Sequence, residues 1–350
     1  MHKAFGTICL VVPVHNEAAI LATSLPRILG SVRSAAPGVD VRLLAVDDGS
    51  TDGSLAVLVE LARQDRAIDF VAFTRNFGKE AAIHAGLKVG LDRTDADAFV
   101  VLDADLQHPP ELVAPMLERW REGYLVVEAV KRDRGEESAL RRHAALAFYR
   151  LFSRLSKIEM DGATDFKLLD RTVAAELVQL AERTRFFRGM VGWLGHPTAS
   201  IEFDVPEREG GRSAWSIGSL ARYAWRNLTA FSSAPLEFVT WLGAVGLAAG
   251  ALLALKALFD KFSGQALSGF STIILLQVLF GSLILLSLGI IGSYIARIYD
   301  EIKQRPHFVL RSGAGTGGST GRRPSVVLQE GDVCETGEAP SSRESAGERP

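Results

Sequence analysis

Residues 100–110 read VVLDADLQHPP: a short apolar run, then two aspartates one residue apart, then a polar turn closed by two prolines. The apolar part has the look of a buried strand. A carboxylate at the mouth of such a strand is costly unless something meets its charge. Asp103 and Asp105 therefore call for a metal ion, an arginine, or the plain water of a loop tip.

Upstream and downstream, the pattern repeats. TICLVVPV at 7–14, VRLLAV at 41–46, IDFVAF at 68–73, AFVVL at 98–102 and YLVVEAV at 124–130 are apolar runs bounded by turn or charged residues. Helical stretches at 17–34, 52–64 and 78–91 lie between them. This alternation predicts an α/β domain with a largely parallel sheet over residues 1–205. Ligands of such sheets bind outside the carboxyl ends of the strands. Asp47-Asp48 and Asp103–Asp105 both fall at strand carboxyl ends, so the two acidic pairs are expected to face one crevice.

The 350 residues are 47% hydrophobic, but unevenly so. Phe238 to Phe259 carries a single charge, Lys256, and Phe270 to Ala296 carries none. Either stretch exceeds the roughly 20 residues needed to cross a hydrocarbon core of about 30 Å. The linker between them is short, which predicts a two-helix transmembrane hairpin over 235–298. Arg222 and Arg226 precede it, Arg297 closes it, and Lys303 and Arg305 follow within a juxtamembrane segment at 299–310. Positive flanks stay on the cytosolic side. The expected location is the inner (plasma) membrane, multi-pass, with the catalytic domain and both termini cytosolic. The N-terminus has no apolar stretch of signal-peptide length.

Two stretches, 140–158 and 217–231, place apolar residues at helical spacing beside arginines, a pattern suited to a membrane interface or to a surface helix packed on the core, with the interface favoured for 217–231. From 311 to 350, Gly, Ser, Glu and Pro dominate, which predicts a disordered cytosolic tail. The net charge of −2 gives no electrostatic case for nucleic acid. Two cysteines, Cys9 and Cys334, imply no disulfide framework.

Three further segments bear on chemistry. VVPVHNE at 11–17 ends a strand in a helix-cap sequence. LLAVDDGSTDGS at 43–54 ends another in an Asp-Gly turn. TRNFGKEAAIHAGLKVG at 74–90 supplies Arg75 and Lys79 after a third, suited to a phosphate or a carboxylate.

Taken in order, VVPVHNE, VDDGSTDGS, RNFGKEAAIHAGL, DADLQHPPE, ATDFKLLDR and RFFRGMVGWLG, followed by two spans, resemble the family 2 glycosyltransferases of GT-A (Rossmann-like) fold. More narrowly, they resemble the polyprenyl-phosphate glycosyltransferases. The resemblance covers about 5–310. It implies that Pro13, Glu17, Asp47 and Asp48 hold the base and ribose of a nucleotide sugar. Lys79, Asp103, Ala104 and Arg188 would contact that donor too, as would Arg208, Arg212 and Ser213 in a phosphate-binding loop within 206–234. It implies Mg²⁺ or Mn²⁺ on Asp103, Asp105 and Gln107, and catalytic roles for Asp105 and Asp165. Ala214 stands where many members carry lysine, and Arg212 lies close enough to substitute.

The implied reaction is inverting, metal-dependent transfer of one sugar from a UDP- or GDP-sugar to undecaprenyl or dolichyl phosphate. The implied partners are that lipid and the membrane, and the resemblance extends to a homo-oligomer, a tetramer. A processive polysaccharide synthase and a non-catalytic membrane scaffold are the competing readings. The first usually carries more spans. A phosphate monoester with a second pKa near 6 is already mostly dianionic at neutral pH. Asp165 is therefore expected to orient the acceptor or support developing positive charge, not to act as a general base.

Overall fold

The computed structural model describes residues 6–131, 163–182, 185–203, 234–263, 270–303 and 305–311. The stretches 140–158 and 217–231, the sites Arg208, Arg212 and Ser213, and the tail lie outside the described residues.

Four strands and their crossovers come first: β1 (Thr7–Val14), α1 (Ala18–Ala35), β2 (Asp40–Asp47), α2 (Ser54–Gln64), β3 (Ile68–Ala72), α3 (Lys79–Arg93) and β4 (Ala98–Val101). Then follow α4 (Val113–Arg121), β5 (Val126–Lys131), β6 (Ala163–Asp170), α5 (Arg171–Gln179), α6 (Phe187–Leu194) and β7 (Thr198–Phe203). The seven strands form one sheet in the order β3-β2-β1-β4-β6-β5-β7. β1 to β4 pair in parallel, whereas β6 runs antiparallel to both of its neighbours. Parallel strands covered by helices on both faces read as unbroken apolar runs, and Ile8 through Val12 accordingly have no exposed surface.

Helix α3 lies unusually close to the sheet. A Cβ at Gly86 would fall 2.3 Å from Val11 Cγ1, and one at Gly90 would fall 2.7 Å from the Phe99 ring. Larger residues would lift the helix, and with it the side chains that its first turn presents to the carboxyl edge of the sheet.

Two long helices complete the chain, α7 (Ala234–Phe262) and α8 (Phe270–Ile302). Both hold windows long and apolar enough to cross a membrane: Pro235–Leu253, with mean hydropathy 1.7, and Leu276–Ile302, with mean hydropathy 2.2. Trp241, Leu247 and Leu285 are each more than 70% exposed, so none of the described residues covers these faces. Beyond α8 the chain turns back and pairs with the end of β3.

Candidate active site

The reversal of β6 builds the site. Val100 pairs with Leu168 and Val101 with Lys167. Continuing that antiparallel register two residues past β4 brings Asp103 opposite Asp165. Both carboxylates then stand at the carboxyl edge of the parallel strands, one from each direction of chain. Lys79, the first residue of α3, sits between them. Its Nζ donates to Asp103 Oδ1 at 2.6 Å and to Asp165 Oδ2 at 2.9 Å. Arg188, in the first turn of α6, donates from Nε to Asp165 Oδ1 at 2.6 Å.

The loop before α3 is held by β2. Both oxygens of the buried Asp48 accept backbone N–H groups, from Phe77 at 2.6 Å and Gly78 at 2.9 Å. Asp47 accepts from the N–H of Ser50 at 3.1 Å. The two loops touch so closely that a Cβ at Gly49 would lie 2.2 Å from the carbonyl carbon of Arg75. Gly49 also has φ +63, a left-handed conformation that glycine adopts without penalty. His15 completes the junction, bonded through Nδ1 to Asp48 O and through Nε2 to Asn76 Nδ2, at 3.0 Å each.

Leu106 has φ +59. A branched residue in that region stores strain of about 1–3 kcal/mol. The turn it makes lets Gln107 N–H donate to Asp105 Oδ1 at 3.0 Å, which aims the exposed Asp105 carboxylate. Ala104 between the aspartates is buried in the core, as is Pro13 near the end of β1. His108 accepts the N–H of Asp103 at Nδ1 and stacks on Phe166. Burial pulls its pKa down, so its 3.8 Å approach to Asp103 Oδ2 joins a neutral ring to a carboxylate.

The electrostatics divide the acids into two groups. Burial pushes Asp165 upward, but Lys79 and Arg188 outweigh it and hold the carboxyl well below the usual range. Lys79 is raised in turn: desolvation opposes its charge, and Asp103 and Asp165 more than compensate. Glu17 is pushed up to about 7 by burial and then by the charges of Asp105 and Asp103. Its Oε2 has no hydrogen-bond partner among the described residues. Glu80 is also pushed up to about 7, by burial and by Asp165.

That orphaned oxygen tests the fit of a divalent cation. Mg²⁺ and Mn²⁺ take oxygen ligands and commonly rest on one or two carboxylates plus substrate phosphate. Among the described residues no three acids, histidines or cysteines form a cage of their own. Asp103 and Asp105, with the uncompensated Glu17 beside them, fit a cation that completes its shell from a bound diphosphate.

A family model described as "Glycosyl transferase family 2" matches residues 9–178. "Uncharacterized glycosyltransferase YkcC" of Bacillus subtilis (strain 168) is 37% identical over 308 residues, covering 87% of this chain and 94% of that protein. The chain belongs to glycosyl transferase family 2. "Bactoprenol glucosyl transferase" of Shigella phage SfX is 33% identical to this glycosyltransferase over 310 residues, covering 87% and 99% of the two chains. Among solved structures, mannosyl-3-phosphoglycerate synthase from Rubrobacter xylanophilus aligns with a TM-score of 0.43 at 19% identity. The alignment covers 63% of this chain and 71% of that one. The mixed sheet described above is the GT-A sheet of the family.

Within the glycosyltransferase, Asp103, Asp165, Lys79 and Arg188 form one network, with Glu17 and Asp105 at its edge. Asp47 and Asp48 stand at the neighbouring strand end, where they organise the loops. Arg185 serves elsewhere: its guanidinium donates to Leu177 O and Leu180 O at the end of α5. A residue not expected from the sequence is Glu80, whose Oε2 accepts the N–H of Phe187 at 2.8 Å. Lys79 and Glu80 are adjacent, so one helical turn fixes both the carboxylate pair and the start of the helix that carries Arg188.

Glu80→Ala strands that N–H and loosens Arg188, which is expected to lower turnover about tenfold or more. Glu80→Gln keeps an acceptor and should stay close to wild type. Equal losses in the two variants would assign the effect to charge instead.

Proposed function

We propose that this glycosyltransferase moves one sugar from a nucleotide diphosphate sugar to a polyprenyl phosphate at the cytosolic face of a membrane, with inversion at the anomeric carbon. The observation that carries this reading is the Lys79–Asp103–Asp165–Arg188 network on a domain joined to two uncovered apolar helices. A cation pair held by carboxylates at a crevice suits phosphorylated ligands on both sides of the reaction. A membrane hairpin suits a lipid acceptor. The full-length similarity to a protein named bactoprenol glucosyl transferase supports the same acceptor class.

An acceptor phosphate oxygen attacks the anomeric carbon and forms the new C–O bond. The bond to the diphosphate breaks on the opposite side, and the nucleoside diphosphate departs with the electron pair. Mg²⁺ or Mn²⁺, when bound, neutralises charge on that leaving group. Asp103 and Asp105, with Gln107, would hold it. Glu17, Asp47 and Asp48 line the donor side. Arg188 and Lys79 orient anionic oxygens, and Asp165 fixes both cations in place while opposing the positive charge that develops on the sugar. Arg208, Arg212 and Ser213 would close over the diphosphate.

Incubating the purified protein with undecaprenyl phosphate and a panel of UDP- and GDP-sugars, then weighing the lipid products, tests this. A lipid phosphate heavier by one sugar is expected. Chains of many sugars, or nucleotide-sugar turnover without a lipid product, would overturn the reading.

A further inference from the structure

The segment after α8 does more than leave the membrane helix. Thr74 N–H donates to Val309 O at 3.0 Å, Arg311 N–H donates to Ala72 O at 2.7 Å, and Phe73 and Leu310 face each other across an antiparallel bridge. Phe308 is buried, and its ring stacks on Phe73 with centroids 5.2 Å apart and planes 12° from parallel. His307 meets His84 of α3 edge-on at 5.7 Å. Residues 305–311 thus form a strap that pairs beside β3, the outermost strand of the sheet.

The place where the strap docks gives it consequence. Ala72 and Phe73 lead directly into the loop 74–78. Phe77 of that loop packs edge-on against Phe73 at 5.6 Å, and the Arg75 guanidinium lies 4.2 Å over the Phe77 ring. Phe77 and Gly78 are the residues whose N–H groups are bound by Asp48, and the next residue is Lys79. A continuous set of contacts runs Phe308–Phe73–Phe77–Asp48 and ends at Gly78, one residue before Lys79. The chain between helix and dock is also short. The five residue steps from Lys303 to Phe308 span at most about 18 Å.

We propose that the 305–311 strap is a positioning element for the donor side of the active site: it sets the loop 74–78, and so Asp48 and Lys79, relative to the end of the second apolar helix. The role rests on the reading that this crevice takes a nucleotide sugar. A reaction between a soluble donor and a lipid headgroup needs its two halves held in register, and rigid aromatic packing does that with little reorganisation.

The test uses the full-length protein in lipid nanodiscs with Phe308→Ala, Phe308→Tyr and Arg311→Pro, the last of which deletes the N–H bonded to Ala72. Amide hydrogen exchange is followed in peptides covering 73–80, alongside the KM for nucleotide sugar and kcat. Phe308→Ala and Arg311→Pro should speed exchange at Phe77 and Gly78 and raise the donor KM about tenfold, with a smaller change in kcat. Phe308→Tyr keeps the stack and should restore both. Unchanged exchange at Phe77 and Gly78 in both disrupting variants would overturn the proposal. So would faster exchange across the whole sheet in all three, since that marks general destabilisation. Altered exchange in a protein that turns over no nucleotide sugar would leave the strap's action on the loop standing and refute the donor reading alone.

Discussion

Asp105→Ala is expected to lower transfer by on the order of 10²–10³-fold, the usual cost of removing one group that stabilises developing charge, while the protein folds normally. The two halves of that expectation have separate grounds. Asp105 is exposed, and the hydrogen bond it accepts comes from Gln107 in its own loop. Its loss leaves no buried charge behind. The carboxylate nevertheless stands one residue from Asp103 and raises the pKa of Glu17, so it contributes to the negative field that a divalent cation and a diphosphate would share.

Asp105→Asn separates the turn from the charge, because the amide oxygen can still accept from Gln107. Both variants should lose Mn²⁺ binding measured by electron paramagnetic resonance, along with the divalent dependence of transfer. Near-normal transfer with unchanged metal dependence would remove Asp105 from the metal site. Asp103→Ala is a less clean probe, since it also takes away a partner of Lys79.

Much of this arrangement could be read from the residues, and the part that could not has a common cause. β1 and β4 are almost wholly buried and read as unbroken apolar runs, β2 and β3 are each interrupted by a charge, Arg42 and Asp69, and the ends of β2 and β4 are marked by Asp47-Asp48 and Asp103. α1, α2 and α3 begin and end within two residues of the expected bounds. β6 is different. ATDFKLLD carries Asp165, Lys167 and Asp170, none of which suits a buried strand by periodicity. Each is buried because a partner distant in sequence meets it: Lys79 and Arg188 for Asp165, Glu128 for Lys167, and the Trp120 indole N–H for Asp170.

The same limit hid the answer to the question posed by Asp103. The stretch around Asp103 offers only metal, arginine and water as candidates, and nothing in it says that the lysine suited to a carboxylate at 79 is the cation that reaches it within the chain. That Lys79 joins Asp103 to Asp165 depends on the antiparallel register of β4 with β6, which no local pattern encodes. The role of Glu80 is illegible in the sequence for a similar reason. It reads as an ordinary acid in the first turn of a helix, and its function appears only when Phe187 is brought to it. The strap is shorter still: a single bridge and two flanking hydrogen bonds give no periodic signal at all.

Asp165→Asn is expected to lower turnover by about 10²–10³-fold, and by the same factor at every pH from 8 to 9. A general base works best with a pKa near the working pH. Asp165 is in the opposite condition, because Lys79 and Arg188 outweigh its burial and keep its carboxyl well below the ordinary range. A depressed carboxyl pKa contributes stability above its unfolded value, and that contribution fades only as pH falls through the folded value, far into acid. Nothing about Asp165 therefore titrates between pH 6 and 9. The acceptor phosphate, with a second pKa near 6, has little need of a base across the upper part of that range. What the asparagine removes is the negative charge that holds two cations in place and opposes positive charge on the sugar, and that loss does not depend on pH. Glu17 and Glu80 are each pushed up to about 7, chiefly by burial, so the wild-type profile is expected to bend there. The informative quantity is the ratio of mutant to wild type with saturating lipid from pH 8 to 9, where both acids are ionised in both proteins, because Glu80 loses in the variant the Asp165 charge that helps to raise it. A flat ratio from pH 8 to 9 supports the electrostatic role. A ratio that climbs toward one as pH approaches 9 would identify Asp165 as the base, since a nucleophile that ionises unaided would then be rescuing the mutant.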